Sequence, residues 1–177
     1  MRNPIIHIQK CLIPLLVMVM VFVSFVGCTK EITGNEFLLK TQTYVNDLHD
    51  FADGMDQVYT LYFTGKISDD DFINEVSELK DIYNYMINKY DKFKEDNPIK
   101  AASHSYVSKR GINALDKIAN AYKKVLDESV TDDNKVLDKE NLSYDYMLCG
   151  EDVTASYAEY QTAIAWLKDA QKTTKSK

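Results

Sequence analysis

Apolar residues recur every three or four positions along most of the chain, and this spacing places them on one face of an α-helix. A weaker pattern over 137–149 fits either a short helix or an irregular crossover. The alternation that is typical of strands is missing from the sequence. We therefore predict an all-α fold, an antiparallel helical bundle of about four long helices joined by short connections. The four long segments run over about 36–64, 68–95, 98–129 and 152–172.

Polar residues at the edges of these segments predict where the helices begin and end. Ser68 is followed three residues later by Asp71, so we expect a capping box at the start of the second helix. Asn35 is expected to cap the first helix, and Pro98 suits the first position of the third. Gly111 weakens the third pattern, and two shorter helices that meet there are an alternative.

The first 28 residues follow a different pattern. Arg2 and Lys10 come before a run of about 16 almost exclusively apolar residues, at 11–26. A membrane-spanning helix needs about 20 such residues. The run therefore fits the apolar part of a secretory signal peptide better than a spanning helix.

The end of this run, Val26-Gly27-Cys28, resembles the lipobox of bacterial lipoprotein signal peptides. The resemblance implies cleavage before Cys28 and a thioether-linked diacylglycerol on its sulfur. Two or more acyl chains, such as palmitate, would anchor the chain stably in a membrane. The implied location is the bacterial cell envelope, lipid-anchored on the extracytoplasmic face, which is the cell membrane in a Gram-positive source. Secretion of a soluble product and an uncleaved anchor remain alternatives.

These features predict four successive regions in the chain. They are a lipoprotein signal peptide at 1–27, the lipidated Cys28 with a tether at 28–35, a helical bundle domain at 36–172, and a disordered tail at 173–177.

Removal of the signal peptide changes the charge of the protein. The whole chain has 21 basic and 27 acidic residues and a net charge of −6. Because Arg2 and Lys10 leave with the signal peptide, the mature chain has a net charge of about −8. This acidity argues against nucleic acid as a partner. It also favours a domain that is held off an anionic membrane over one that lies on it.

Few residues have the spacing that catalysis or metal binding requires. His49 and Asp53 are one helical turn apart and Asp56 follows, but structural and catalytic zinc sites need more ligands of the His or Cys type. Cys149 is the one free thiol of the mature chain, and no neighbour in the sequence indicates an activated thiolate. We therefore predict no catalytic residues, no metal site and no cofactor.

Tyrosine is abundant, with 12 residues in the chain. Many of them fall on the inward faces of the predicted helices, where they favour core packing, although a groove lined with several hydroxyls would bind a ligand. Four aromatic residues fall off these faces. We predict that they form an exposed contact patch, because aromatic residues are enriched in interfaces. They are Tyr85, Tyr144, Tyr146 and Trp166.

Taken together, these observations predict a membrane-anchored surface lipoprotein with a non-enzymatic helical bundle. The expected partners are the membrane, through the lipid on Cys28, and a surface protein. Two alternatives remain open. One is a small-molecule or ion binding lipoprotein of a sensor or uptake system. The other is a mobile-element lipoprotein that excludes the entry of phage or conjugative DNA.

Overall fold

The computed structural model describes residues 31–131 and 133–175. The predicted signal peptide and Cys28 lie outside these residues, so their assignment stays a prediction. The described chain is almost entirely helical, and the all-α prediction is confirmed. Its α-helices are α1 (Gly34–Lys40), α2 (Gln42–Phe63), α3 (Asp69–Asp96), α4 (Tyr106–Ser129) and α5 (Lys139–Lys175). No helix within 31–131 and 133–175 is long and apolar enough to cross a membrane.

The long helices run alternately up and down. Tyr44, near the start of α2, stacks on Tyr90 near the end of α3, so these two helices are antiparallel. Gly111, near the start of α4, lies against Ala163 in the second half of α5, so this pair is antiparallel as well. The closest packing is between α4 and α5. The four long helices thus form an up-down-up-down bundle, with the short α1 leading into α2.

The start of α3 agrees with the prediction. The backbone N–H of Asp71 donates to the Ser68 hydroxyl at 3.1 Å, and the N–H of Ser68 donates to the Asp71 carboxylate at 3.3 Å. This reciprocal capping box satisfies two N–H groups that would otherwise lack a partner.

The folded domain begins earlier than predicted. Thr33, rather than Asn35, caps the first helix, together with Glu36. Ile32 donates its N–H to the Pro98 carbonyl at 2.9 Å and accepts a hydrogen bond from the Lys100 N–H at 3.0 Å. Residues 31–35, which we predicted as part of a tether, are therefore hydrogen-bonded to the bundle.

The third helix also differs from its prediction. Pro98 lies in the extended segment that pairs with Ile32, and α4 starts at Tyr106 after Ser105 caps it. Gly111 does not divide the helix. A Cβ at Gly111 would lie 2.5 Å from a Leu38 methyl carbon and 3.1 Å from the Ala163 Cβ. The glycine therefore permits the close approach of α1, α4 and α5.

The last helix resolves the ambiguous segment. Leu137 donates its N–H to the Ser129 carbonyl at 3.0 Å, which closes the turn after α4. The Asp138 carboxylate then accepts from the N–H groups of Glu140 and Asn141, at 3.1 and 3.3 Å. This cap starts α5 at Lys139, and the helix continues without a break to Lys175, into the region we predicted to be disordered.

Candidate interaction surface

The four aromatic residues that were predicted to form an exposed contact patch do not lie together in the structure. Tyr144 and Trp166 are both exposed on α5, but they are 22 residues apart, which is about 33 Å along a helix. Tyr85 is exposed on α3, between the buried Tyr83 and Met86, on the side of that helix that faces away from the core. The predicted patch is therefore distributed over separate surfaces of the bundle.

Tyr146 is half-buried and belongs to the seam between α5 and α2. Its ring stacks on Tyr59 with centroids 4.5 Å apart, and its hydroxyl donates to the Asp56 carboxylate at 3.1 Å. Burial is the largest cause that raises the pKa of the Tyr146 phenol above its ordinary value. Tyr146 is half-buried rather than freely exposed, because α5 is one continuous helix and its register turns this side chain partly inward.

The outward side of α5 carries an unusual stripe of exposed residues with little charge. Successive members are three or four positions apart, so they share one helix face. One acidic residue, Glu151, interrupts the stripe. We name this surface the α5 face, and its other members are Tyr144, Met147, Ala155, Ala158, Thr162 and Ala165.

The α5 face extends over 22 residues, from Tyr144 to Ala165, or about 32 Å. At one end, Tyr144 is 58% exposed and Met147 is 51% exposed. The middle consists of alanine and threonine, whose short side chains let another backbone approach closely. The neighbouring helix α4 is different, because its exposed residues are dominated by charge. They include Lys109, Arg110, Asp116, Lys117, Lys123 and Lys124.

The inward side of α5 already supplies the residues that hold the helix in the bundle. Leu142, Tyr160 and Ala163 are buried there, and the Tyr160 hydroxyl lies 3.1 Å from the Thr41 hydroxyl. The α5 face is thus a second apolar stripe, and no part of the chain within 31–131 and 133–175 packs over it. Such a stripe is typical of a helix that has a further packing partner.

A second exposed aromatic group lies where α5 approaches the start of α4. Trp166 is 68% exposed, and Tyr106, the first residue of α4, is 78% exposed. The Gly111–Ala163 contact sets the relative level of the two antiparallel helices, so Tyr106 and Trp166 lie at the same end of the bundle.

An ion-pair cluster crosses from α4 to α5 on the same side. The Arg110 Nε donates to the Glu159 carboxylate at 2.6 Å, and the Lys117 Nζ lies 3.3 Å from the same carboxylate. The hydrogen bond from Arg110 is the largest cause that holds the pKa of Glu159 below its ordinary value. Tyr106 was not predicted as a surface aromatic residue, because the apolar pattern placed it inside a helix that was expected to begin at Pro98. The signal available in the sequence was Ser105, a residue type that caps helices, directly before Tyr106.

The tyrosines inside the bundle mainly pack and cross-link helices. The hydroxyls of Tyr59 and Ser129 are hydrogen-bonded to each other at 2.5 Å, and the Tyr83 hydroxyl donates to the Ala119 carbonyl at 3.1 Å. Tyr44 and Tyr90 stack with ring centroids 3.8 Å apart. The buried hydroxyls of this last pair have no hydrogen-bond partner within the described residues.

The candidate chemical groups stay apart in the structure. Cys149 is buried, and burial raises the pKa of its thiol to about 11, so the thiol is protonated at neutral pH. His49 packs edge-on against Tyr157, with ring centroids 4.6 Å apart. Among residues 31–131 and 133–175, no three His, Cys, Asp or Glu side chains are grouped in a way that would hold a metal ion.

Comparisons of the chain with protein-family models, with curated proteins and with solved structures found no match.

Proposed function

We propose that this protein is a lipid-anchored component of the bacterial cell envelope whose helical bundle binds another protein, without catalysis, through the α5 face. The anchor is inferred from the lipobox resemblance around Cys28. The binding role is inferred from one observation above all, the exposed and nearly uncharged stripe along the outside of α5.

The chemistry of the α5 face favours a helical or extended protein segment as its occupant. Alanines at three- and four-residue spacing offer a shallow groove into which ridges of a second helix would fit. Tyr144 and Met147 would supply the larger contacts, since aromatic residues often dominate binding energy and methionine adapts its shape to a partner. Glu151 would select a partner with a basic or hydrogen-bond-donating group beside it.

The position of α5 also supports this role. The helix packs closely against α4, and buried residues along its inward side hold it in place. A rigid surface loses little conformational entropy when a partner binds, so contacts made by the α5 face are not offset by the cost of ordering it.

The anchor is tested by replacing the sulfur that would carry the lipid. We expect the Cys28→Ser variant to accumulate as an unprocessed precursor or to be shed from the envelope. Fractionation of cells and gel mobility measure both effects. Unchanged membrane retention together with unchanged mobility of Cys28→Ser would contradict the lipoprotein assignment.

The binding surface is tested by placing a charge in the middle of the α5 face. We expect the Ala158→Glu variant to lose a stable complex, because a buried carboxylate without a partner is strongly unfavourable in an interface. Native electrophoresis of envelopes solubilised in mild detergent measures the size of the complex. Tyr85→Glu is the matched control, since Tyr85 is 53% exposed on α3 and should tolerate the charge.

One outcome of this experiment would contradict the proposed binding surface. If Ala158→Glu and wild-type protein migrate alike while the variant remains folded by circular dichroism, the α5 face is not the binding surface.

A further inference from the structure

The described chain enters the bundle at one end, and this end has its own surface chemistry. Gly34 lies against Ser108, and a Cβ at Gly34 would come within 2.7 Å of the Ser108 hydroxyl oxygen. Ile32 pairs with the segment after α3, and Gly111 in α4 lies against Ala163 in α5, so the start of α1, the end of α3, the start of α4 and the end of α5 lie at this end. We name this end the tether end, and it consists of residues 31–36, 96–108 and 166–173.

The tether end cannot be far from a lipid attached to Cys28. Three residues separate Cys28 from Ile32, and even a fully extended chain spans only about 3.5 Å per residue. Ile32 itself is fixed by backbone hydrogen bonds to Pro98 and Lys100. An anchor at Cys28 would thus hold this end within about 15 Å of the lipid headgroups.

Two exposed aromatic side chains lie at the tether end, and both are of the types that favour a membrane surface. Trp166 and Tyr106 combine an apolar ring with one polar atom, which is why tryptophan and tyrosine are enriched at the level of lipid headgroups. At 68% and 78% exposed, respectively, neither side chain contributes much to the core.

Charge is distributed unevenly along the bundle. Lys100, Lys109, Lys168 and Lys172 are exposed at or next to the tether end, and Asp169 lies 3.5 Å from Lys172. Acidic residues also lie at the tether end, and Glu31, Glu36 and Asp96 are exposed near the start of α1 and the end of α3, so only the side formed by α4 and α5 is mainly basic. The opposite end is acidic, with exposed residues that include Asp69, Asp70, Asp71, Asp127, Asp133 and Asp138.

We propose that the tether end rests on the anionic surface of the bilayer, with Tyr106 and Trp166 at the level of the headgroups and the lysines beside lipid phosphates. This inference depends on the proposed lipid anchor at Cys28. An anionic surface attracts the lysines on the side formed by α4 and α5 and repels the strongly acidic opposite end, so the bundle stands upright although its total charge is negative. The α5 face then rises from the membrane and stays accessible to a protein partner.

The test uses Trp166 as a probe, because it is the one tryptophan in the chain. The lipidated protein is reconstituted into vesicles of phosphatidylcholine, with or without phosphatidylglycerol, and flotation first establishes that it is anchored. In the vesicles with phosphatidylglycerol, we expect three effects on the fluorescence of Trp166. Its emission should shift to shorter wavelength, lipids brominated near the headgroup should quench it, and acrylamide should quench it less than in vesicles without phosphatidylglycerol. In the Lys168→Glu, Lys172→Glu variant we expect these three effects to weaken.

A relocated tryptophan serves as the control. In the double variant Trp166→Phe, Tyr85→Trp the single tryptophan lies on the outer side of α3, and we expect acrylamide to reach it in both kinds of vesicle. Floated protein whose Trp166 is as accessible to acrylamide as this control would overturn the contact of the tether end. Protein that fails to float would overturn the anchor itself, so the two failures are distinguishable.

Discussion

Single glycines determine how closely the helices of this bundle approach one another. At Gly111, the missing side chain makes room for Leu38, which is fully buried, and for Ala163. Gly150 also lies within a helix, but a Cβ there would meet nothing within 4 Å. The same residue type therefore has a packing role at one position and none at the other.

We predict opposite effects of alanine at these two glycines. Overpacking of a core costs about 1–3 kcal/mol, whereas the better helix propensity of alanine returns only about 1 kcal/mol. Gly111→Ala should therefore lower the free energy of unfolding by about 1 kcal/mol, and Gly150→Ala should raise it by about 0.5–1 kcal/mol. Urea unfolding followed by circular dichroism measures both, and equal effects of the two changes would refute this role for Gly111.

At the scale of helices, the sequence predicted the helices that carry a single apolar stripe. It did not predict the extent of α5, in which two apolar stripes overlap. The inward residues of α2 and α3, among them Leu48, Met55, Val76 and Tyr90, are buried as their spacing predicts. In α5 the buried residues and the α5 face interleave, which leaves no clear amphipathic pattern over 137–149. Because the exposed apolar residues of the α5 face interrupt the amphipathic pattern, the sequence predicted neither the start of α5 nor the α5 face.

Other differences arise from contacts that are distant in sequence. The break between α1 and α2 is at Thr41, whose hydroxyl donates to the Leu38 carbonyl at 2.6 Å and also contacts Tyr160. The pairing of Ile32 with the segment after α3 is equally non-local. Local patterns carry no information about such partners, so the sequence predicted one helix at 36–64 and a free tether before it.

Buried tyrosines join helix pairs and should make the stability of the bundle sensitive to high pH. Burial raises the pKa of Tyr83 from 10.0 to about 12, and its hydroxyl links α3 to α4. The folded state therefore binds this proton more tightly than the unfolded state. The contribution of the protonated Tyr83 hydroxyl to the free energy of unfolding is complete below pH 10 and is lost as the pH rises from 10 towards 12.

We predict that the free energy of unfolding falls over this range, and that the fall is shallower in Tyr83→Phe. Urea unfolding at a series of pH values measures the slope. Tyr85→Phe is the control for removal of an exposed phenol and should keep the wild-type slope. Identical slopes for wild type and Tyr83→Phe would show that Tyr83 does not carry this dependence.

At the scale of the whole molecule, the bundle has two ends and one distinctive side. The tether end is next to the predicted lipid site and carries exposed aromatic and basic residues, while the opposite end is acidic. The α5 face connects the two along the outside of the bundle. The average charge and composition concealed this arrangement, because they do not distinguish one end of a helix from the other.

The central claim, that the anchored bundle binds a protein through the α5 face, is tested most directly by photo-crosslinking in living cells. A photoreactive amino acid is placed at Ala158, on the α5 face, or at Tyr85, on the outside of α3. We predict that illumination yields a discrete crosslinked protein of constant mass from position 158 and not from position 85. The absence of a discrete product at 158, or the same product from both positions, would contradict the claim.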